Sequence, residues 1–269
     1  MPAKSTFLLA TAATAATAAI LFAPVAACAQ TRVMMVPAPT ATFSVAQDDI
    51  DQAKFDAALA RALEAHPEWV RAALEKSEVL RLQAATAAMV ATERAVYARY
   101  SLQPVAPVLG NPHAPVTLVE MFDYNCSFCR QVQPRIAALL KSSPDLRVVM
   151  VMTPVLGADS HVLARFALAA DLQGRFAQVN DSLFTGPTPQ PTDEAALSLL
   201  ATANGVNWPR AKADMAGAAV TARLAAMQQD WVALGRAGTP SFLTPKGRIV
   251  GAVSIDVLAT SLNAGERAK

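Results

Sequence analysis

An α/β fold, with a long helical run set between its strands and a helical arm ahead of it, is predicted by three features of this sequence. First, Val116–Phe122 is a β-branched and aromatic run. A polar turn (Asp123, Tyr124, Asn125), a Cys-x-x-Cys and a helical segment follow, and a second apolar run spans Leu146–Met152. Strand, helix, strand in that order is a βαβ unit, with a parallel pair and a right-handed crossover. Second, the stretch from Pro154 to about Gly235 reads as helical throughout. Third, Ser241–Thr244 and Arg248–Val253 are short strands joined by Pro245-Lys246-Gly247, a hairpin signal, and a last helix follows over Ile255–Leu262.

Each element has its own grounds. The run Val116–Phe122 has the composition of a sheet-core strand, with Val116, Leu118, Glu120 and Phe122 on one face. Arg130–Leu140 carries Val132, Ile136, Leu139 and Leu140 on one helical face, and Pro134 is expected to kink it. In the helical run, His161–Leu172 has a stripe of Val162, Phe166, Ala169 and Ala170; Phe176–Phe184, Asp193–Ala203, Trp208–Met215 and Val220–Leu234 complete it. His161 reads as a helix-start residue, and His66 and His113 as loop residues.

Ahead of this core, Leu102–Pro115 is punctuated by four prolines, and a domain boundary is expected there. Residues 48–101 form the arm. Phe55, Leu59 and Leu63 recur at helical spacing, Pro67 restarts the helix, and Trp69, Ala73, Leu80, Ala87, Val90 and Tyr97 follow a loose heptad-like stripe. That stripe needs a burial partner, either the chain's own core or another copy of the chain. Residues 30–47, rich in Pro, Ala and Thr, read as a linker. Residues 1–29 have the form of an export signal: Lys4, an apolar stretch from Phe7 to Phe22, and Ala27-Cys28-Ala29 as a small-residue cleavage site. Val25-Ala26-Ala27-Cys28 also resembles a lipobox, in which Cys28 would be lipidated. Either route removes Cys28 from the active chemistry and leaves one Cys pair in an oxidising compartment, the periplasm.

The net charge of +2 and the lack of a basic block give no argument for nucleic acid. Zinc needs about four ligands, and there is neither a second Cys pair nor a metal-like spacing among His66, His113 and His161. A purely structural disulfide closing so small a loop would constrain the unfolded chain little. Cys126 at the start of the helix has chemistry of its own. Unpaired backbone N–H groups and the positive end of the dipole favour a thiolate there, and a second thiol three residues on sets up thiol–disulfide exchange.

Strand, Cys-x-x-Cys helix, strand, helical insertion, Gly238-Thr239-Pro240, hairpin and final helix together resemble the thioredoxin superfamily, in its DsbA-like branch. The run Phe122-Asp123-Tyr124-Asn125-Cys126-Ser127-Phe128-Cys129 resembles the active-site run of the suppressor of copper sensitivity protein C (ScsC) group. Pro107-Val108-Leu109-Gly110-Asn111-Pro112, Pro154-Val155-Leu156-Gly157 and the helical arm add to the likeness, which covers about residues 50–263. It implies a thioredoxin fold over 102–269 with an insertion at about 155–236. It implies that Cys126 is the exposed nucleophile, Cys129 the buried resolving thiol and Cys126–Cys129 the redox disulfide. Pro240 matches the cis-proline that faces the pair and meets extended substrate, with Thr239 against the sulfurs. Glu120 matches an acidic residue that assists proton transfer to the buried Cys; the alternative is a carboxylate reaching a polar cavity or a basic partner. Ser127 and Phe128 would meet the client. Phe128 stands where DsbA has His and brings no cation to the thiolate, which implies a weaker oxidant.

The expected function is that of an exported thiol–disulfide oxidoreductase acting on unfolded or misdisulfided proteins, isomerase or reductase more than strong oxidase, without a cofactor. A membrane partner of the DsbD type would set its redox state. Some members of the ScsC group trimerise through such an arm and act as disulfide isomerases, so a homo-oligomer, a trimer by likeness, is expected through residues 48–100. The alternative is a periplasmic copper-binding protein using Cys126 and Cys129 as soft Cu(I) ligands.

Overall fold

The computed structural model describes residues 51–103 and 105–262. The expected export signal (1–29, with Cys28), the linker (30–47) and Asp48 and Asp49 lie outside the described residues. Helix α1 (Gln52–Ala65) belongs almost wholly to a separate N-terminal unit that closes at Ala62; it buries none of its residues.

The second unit, from Leu63, opens with α2 (Pro67–Leu102), a single 36-residue helix. Pro67 sits at its start, and His66 stacks on Trp69 with ring centroids 4.2 Å apart and lies 2.9 Å from Glu68. Then come β1 (Val108–Gly110), β2 (Val116–Phe122), α3 (Ser127–Ser142) and β3 (Leu146–Met152). Five helices follow: α4 (Ala158–Asp171), α5 (Phe176–Thr185), α6 (Glu194–Ala203), α7 (Trp208–Ala216) and α8 (Ala218–Ala233). The chain ends its described part with β4 (Ser241–Thr244), β5 (Gly247–Val250) and α9 (Ile255–Leu262).

The sheet order is β1-β3-β2-β4-β5. β2 and β3 are parallel, from Val116 opposite Leu146 to Phe122 opposite Met152, and the other neighbours are antiparallel. β1 arises inside the proline-punctuated stretch, where no strand was expected. Its three residues pair with β3, and Met150 N–H donates to Pro107 O at 2.8 Å, so long-range pairing supplies what local pattern does not. Gly110 turns the chain out of this strand at φ +83; a Cβ there would come within 2.9 Å of Leu146 O. The second hairpin strand stops at Val250 rather than Val253.

The core lies on the two central strands. Leu118, Val119, Met121, Phe122 and all of Val148–Val151 are without exposed surface. α4 is buried over most of its length because it lies within the helical layer, and Phe166, Ala167, Leu168, Ala169 and Ala170 carry no polar face.

The end of α2 packs into this core as well. Tyr100 is fully buried and donates its hydroxyl to Asp230 at 2.8 Å; Arg99 pairs with the same carboxylate. Tyr97 donates to Thr117 O at 3.0 Å, and Glu93 pairs with Arg248 at 3.0 Å. The boundary expected at 101/102 thus follows residues that already belong to the core of the second unit. The stripe divides along its length: Tyr97 reaches the sheet, while Trp69 and Leu80 are more than half exposed. Among the described residues no helix is long and apolar enough to cross a membrane.

Candidate active site

The site is built where β2 stops. Past Phe122 the chain turns through Asp123-Tyr124-Asn125, and the buried Asp123 carboxylate organises the turn. It accepts from Asn125 N–H and the Ser160 hydroxyl, both at 2.8 Å, and from Val155 N–H at 2.8 Å and Leu156 N–H at 3.0 Å. One carboxylate therefore ties the turn to the loop after β3 and to the first turn of α4. Tyr124 packs edge-on against Phe122 at 5.0 Å and donates to Asn180 on α5 at 3.1 Å.

Cys126 is the N-cap of α3, with extended backbone (φ −79, ψ 115), and its carbonyl accepts the first helical bond, from Arg130 N–H. The helix starts at Ser127, three residues earlier than its apolar spacing implies, because the polar Cys-x-x-Cys turn is itself helical. Pro134 lies inside α3, which continues on both sides of it to Ser142. Cys126 is largely covered, with 7% of its surface open, which differs from the exposed nucleophile implied by resemblance. Its thiol lies 3.3 Å from Thr239 O. The Cys129 thiol, the Thr239 side chain and the backbone N–H groups of Cys129 and Phe128 favour the thiolate; against the opposing cost of burial they pull the Cys126 pKa down to about 5.

Cys129, without exposed surface, behaves in the opposite way. Burial first, then its hydrogen bond to Cys126 and the charge of Glu120, push its pKa far up, so it is held as a thiol. Both cysteines are unbridged in this structure. Glu120 is likewise fully buried, and desolvation pushes it up to about 8. Hydrogen bonding from Gln133 opposes that rise, and the charge on Cys126 adds to it. The Gln133 amide nitrogen lies 2.9 and 3.1 Å from the two Glu120 oxygens. The partner of Glu120 is thus a neutral amide rather than a basic side chain. Gln133 stands four residues beyond Cys129, hence on the same helix face. That spacing is the signal by which the sequence could have revealed it.

The Thr239–Pro240 peptide is cis. It is held by Gly251 N–H donating to Pro240 O at 2.8 Å and by the pairing of Ser241 with Met121. Behind it, Trp231 donates to Ala237 O at 2.6 Å. Ser127 is exposed, and Phe128 is 58% exposed, an apolar ring at the rim of the Cys pair. Arg130, on the first turn of α3, reaches the carbonyls of Leu183 and Gly186 at 3.2 and 3.0 Å and that of Phe184, so it caps the open C-terminal end of α5. The structure brings Cys126, Cys129, Thr239, Pro240 and Glu120 together with Ser127 and Phe128 on the rim. Asp123, Gln133 and Arg130 are the site residues that sequence reasoning did not assign. Among the described residues no group of three or more His, Cys, Asp or Glu side chains converges to hold a metal ion.

Comparison with known proteins agrees with this geometry. Residues 117–263 match the model of the DSBA-like thioredoxin domain. A thioredoxin-like oxidoreductase from Silicibacter pomeroyi DSS-3 is 34% identical with a TM-score of 0.58, over 64% of this chain and 99% of that one. Proteus mirabilis ScsC in a transitional conformation is similar in fold at 21% identity, with a TM-score of 0.56 over 80% of this chain and 96% of that one. Salmonella enterica Typhimurium BcfH is similar at 24% identity, with a TM-score of 0.55 over 78% and 94%. Among curated proteins, the Na(+)/H(+) antiporter NhaA 1 of Mycolicibacterium gilvum is 38% identical over 91 residues, 31% of this chain; the match spans only 15% of the antiporter's length. With the sheet order, the cysteine pair and the match over more than half its length in agreement, the chain belongs to the DSBA-like thioredoxin domain family.

Proposed function

We propose that this protein is an exported thiol–disulfide oxidoreductase that exchanges disulfides in client proteins through Cys126 and Cys129, as an isomerase or reductase more than a strong oxidase. The observation that carries the reading is the contrast within the pair: a thiolate-favouring Cys126 at the start of α3 and a fully buried, protonated Cys129 above Glu120. Cys126 attacks a client disulfide, one client sulfur leaves as thiolate, and a mixed disulfide forms. A different thiol of the client can then attack the client sulfur of the mixed disulfide, forming a new client disulfide and releasing Cys126 as thiolate, which is isomerisation. Alternatively Cys129 can resolve the mixed disulfide, which reduces the client and oxidises the pair. A Cys126 pKa of about 5 lies between those of thioredoxin, about 7, and DsbA, about 3.5, and so supports intermediate oxidising power.

Export rests on residues 1–29, and recycling falls to a membrane partner of the DsbD type. Membership of the ScsC group rests on the active-site run and the arm. Self-association rests on the apolar residues that α2 leaves uncovered, Trp69, Leu74, Leu80 and Leu82 among them. Several sites facing one client raise the local thiol concentration without new contacts, which favours reshuffling. The test is refolding of scrambled ribonuclease by the mature protein and by a form beginning at Ala88, which keeps Glu93, Tyr97, Arg99 and Tyr100 in the core. The mature protein is expected to be an oligomer by light scattering and to reshuffle. The shortened form is expected to be monomeric, to reduce insulin and to lose reshuffling. A monomeric mature protein at micromolar concentration would remove the ground for isomerase action.

A further inference from the structure

Gln133 is half-buried and faces two ways. At one end its amide holds both oxygens of Glu120, a carboxyl without exposed surface. At the other it lines a groove of about 440 Å³ between α3, α5 and β1, together with Leu109, Pro134, Asn180 and Asp181. An amide N–H can stabilise a carboxylate by donation without carrying a charge that would compete with the thiols.

The other groups facing Glu120 are few. Cys129 and the N-capping Cys126 come from α3 and its start, and Tyr124 from the end of β2, its hydroxyl held on Asn180. The register neighbours, Met150 on β3 and Phe242 on β4, do not titrate. Asp256, the one titratable residue of α9, is exposed. α2 meets β2 through Tyr97 at Thr117, three residues away.

We propose that Gln133 is a positioning residue for the proton transfer that resolves the mixed disulfide, holding the Glu120 carboxylate by both oxygens in the orientation in which it accepts the proton of Cys129. The inference rests on the exchange reading above. In the step it serves, the Cys129 proton passes to the Glu120 carboxylate and the Cys129 sulfur bonds to Cys126 Sγ. The bond between Cys126 and the client sulfur breaks, and the client leaves with the electron pair as thiolate. The cysteine pair is oxidised to a disulfide, the client sulfur is reduced, and Glu120 returns its proton to solvent.

Gln133→Met keeps the length and removes the donor; Gln133→Leu serves the same comparison should the Met form be unstable. Two readouts in the full mature protein test the proposal: carboxyl NMR titration of Glu120 in the reduced state, and the pH profile of release of a client peptide preloaded on Cys126. Both midpoints are expected to move up by about one pH unit, about a tenfold loss of Glu120 carboxylate and of release rate at pH 7. In the Glu120→Gln background, Gln133→Met is expected to change nothing further. An unmoved Glu120 midpoint, or additional slowing in that background, overturns the role of Gln133 while leaving that of Glu120 standing. If Glu120→Gln alone leaves the release profile unchanged, the Glu120 reading fails, and Gln133 fails with it.

Discussion

Replacing Glu120 with Gln removes a carboxyl that folding drives toward its neutral form, and the pH dependence of stability measures the size of that drive. Burial raises the carboxyl from an ordinary 4.5 to about 8. With a raised folded pKa, the unfolded chain releases its proton first. The contribution is therefore fully present below about pH 4.5 and is lost as pH rises to about 8. Linkage between those two values puts the loss at about 1 kcal/mol at pH 5, about 3 at pH 7 and about 5 at pH 9. The amide of Glu120→Gln does not titrate. Whatever fixed packing difference it brings, its stability relative to the parent is expected to rise by about 4 kcal/mol from pH 5 to pH 9. The Cys126 thiolate shifts stability in the opposite direction over the same window, but both proteins carry it and it cancels to first order in the difference. Urea unfolding of the reduced proteins at pH 5, 7 and 9 supplies the numbers. A difference that stays constant across these pH values would mean that Glu120 is ionised or hydrated in the folded protein, and the argument from desolvation would be wrong.

Cys129→Ser is expected to trap a mixed disulfide with client peptide, visible by mass, whereas Cys126→Ser traps none; the reverse result would exchange the roles of the two thiols. The thiolate absorbance of Cys126 is expected to titrate near pH 5, and Thr239→Val to move that midpoint upward by removing a donor. Asp123→Ala is expected to cost about 3 kcal/mol or more in urea unfolding, because it strips partners from two backbone N–H groups of the 155–156 loop and from Ser160. A loss below 1 kcal/mol would show that the turn is held by something else.

Much of this arrangement is legible in the residues themselves. The parallel pair, the helix that opens at the cysteines, the insertion and the hairpin all carry local pattern. Val116–Phe122 and Leu146–Met152 are seven-residue strands, which periodicity and composition reveal. What stayed hidden depends on distant partners. β1 has three residues and exists through β3. Asp123 reads as a turn residue until Val155, Leu156 and Ser160 are folded over it. The pairing of Tyr100 and Arg99 with Asp230 joins residues 130 or more apart, so the proline punctuation beyond them looked like a domain edge. Glu120 is legible as a costly carboxyl, but its neutral partner on the next helix carries only a spacing signal, since a basic side chain is the usual remedy for a buried acid.

Helix α2 runs unbroken from Pro67 to Leu102, and its last turns are bolted to the sheet at Glu93 and Tyr97 and to α8 at Arg99 and Tyr100. It therefore works as a shaft. Whatever grips the uncovered half between Trp69 and Val90 also sets the compass bearing of Cys126, with no joint in between to absorb a twist. Each residue added to or taken from that half turns the cysteine pair by about 100° about the helix axis and moves it about 1.5 Å along it. The number of residues in the shaft, and not only their chemistry, decides in which direction the thiols face.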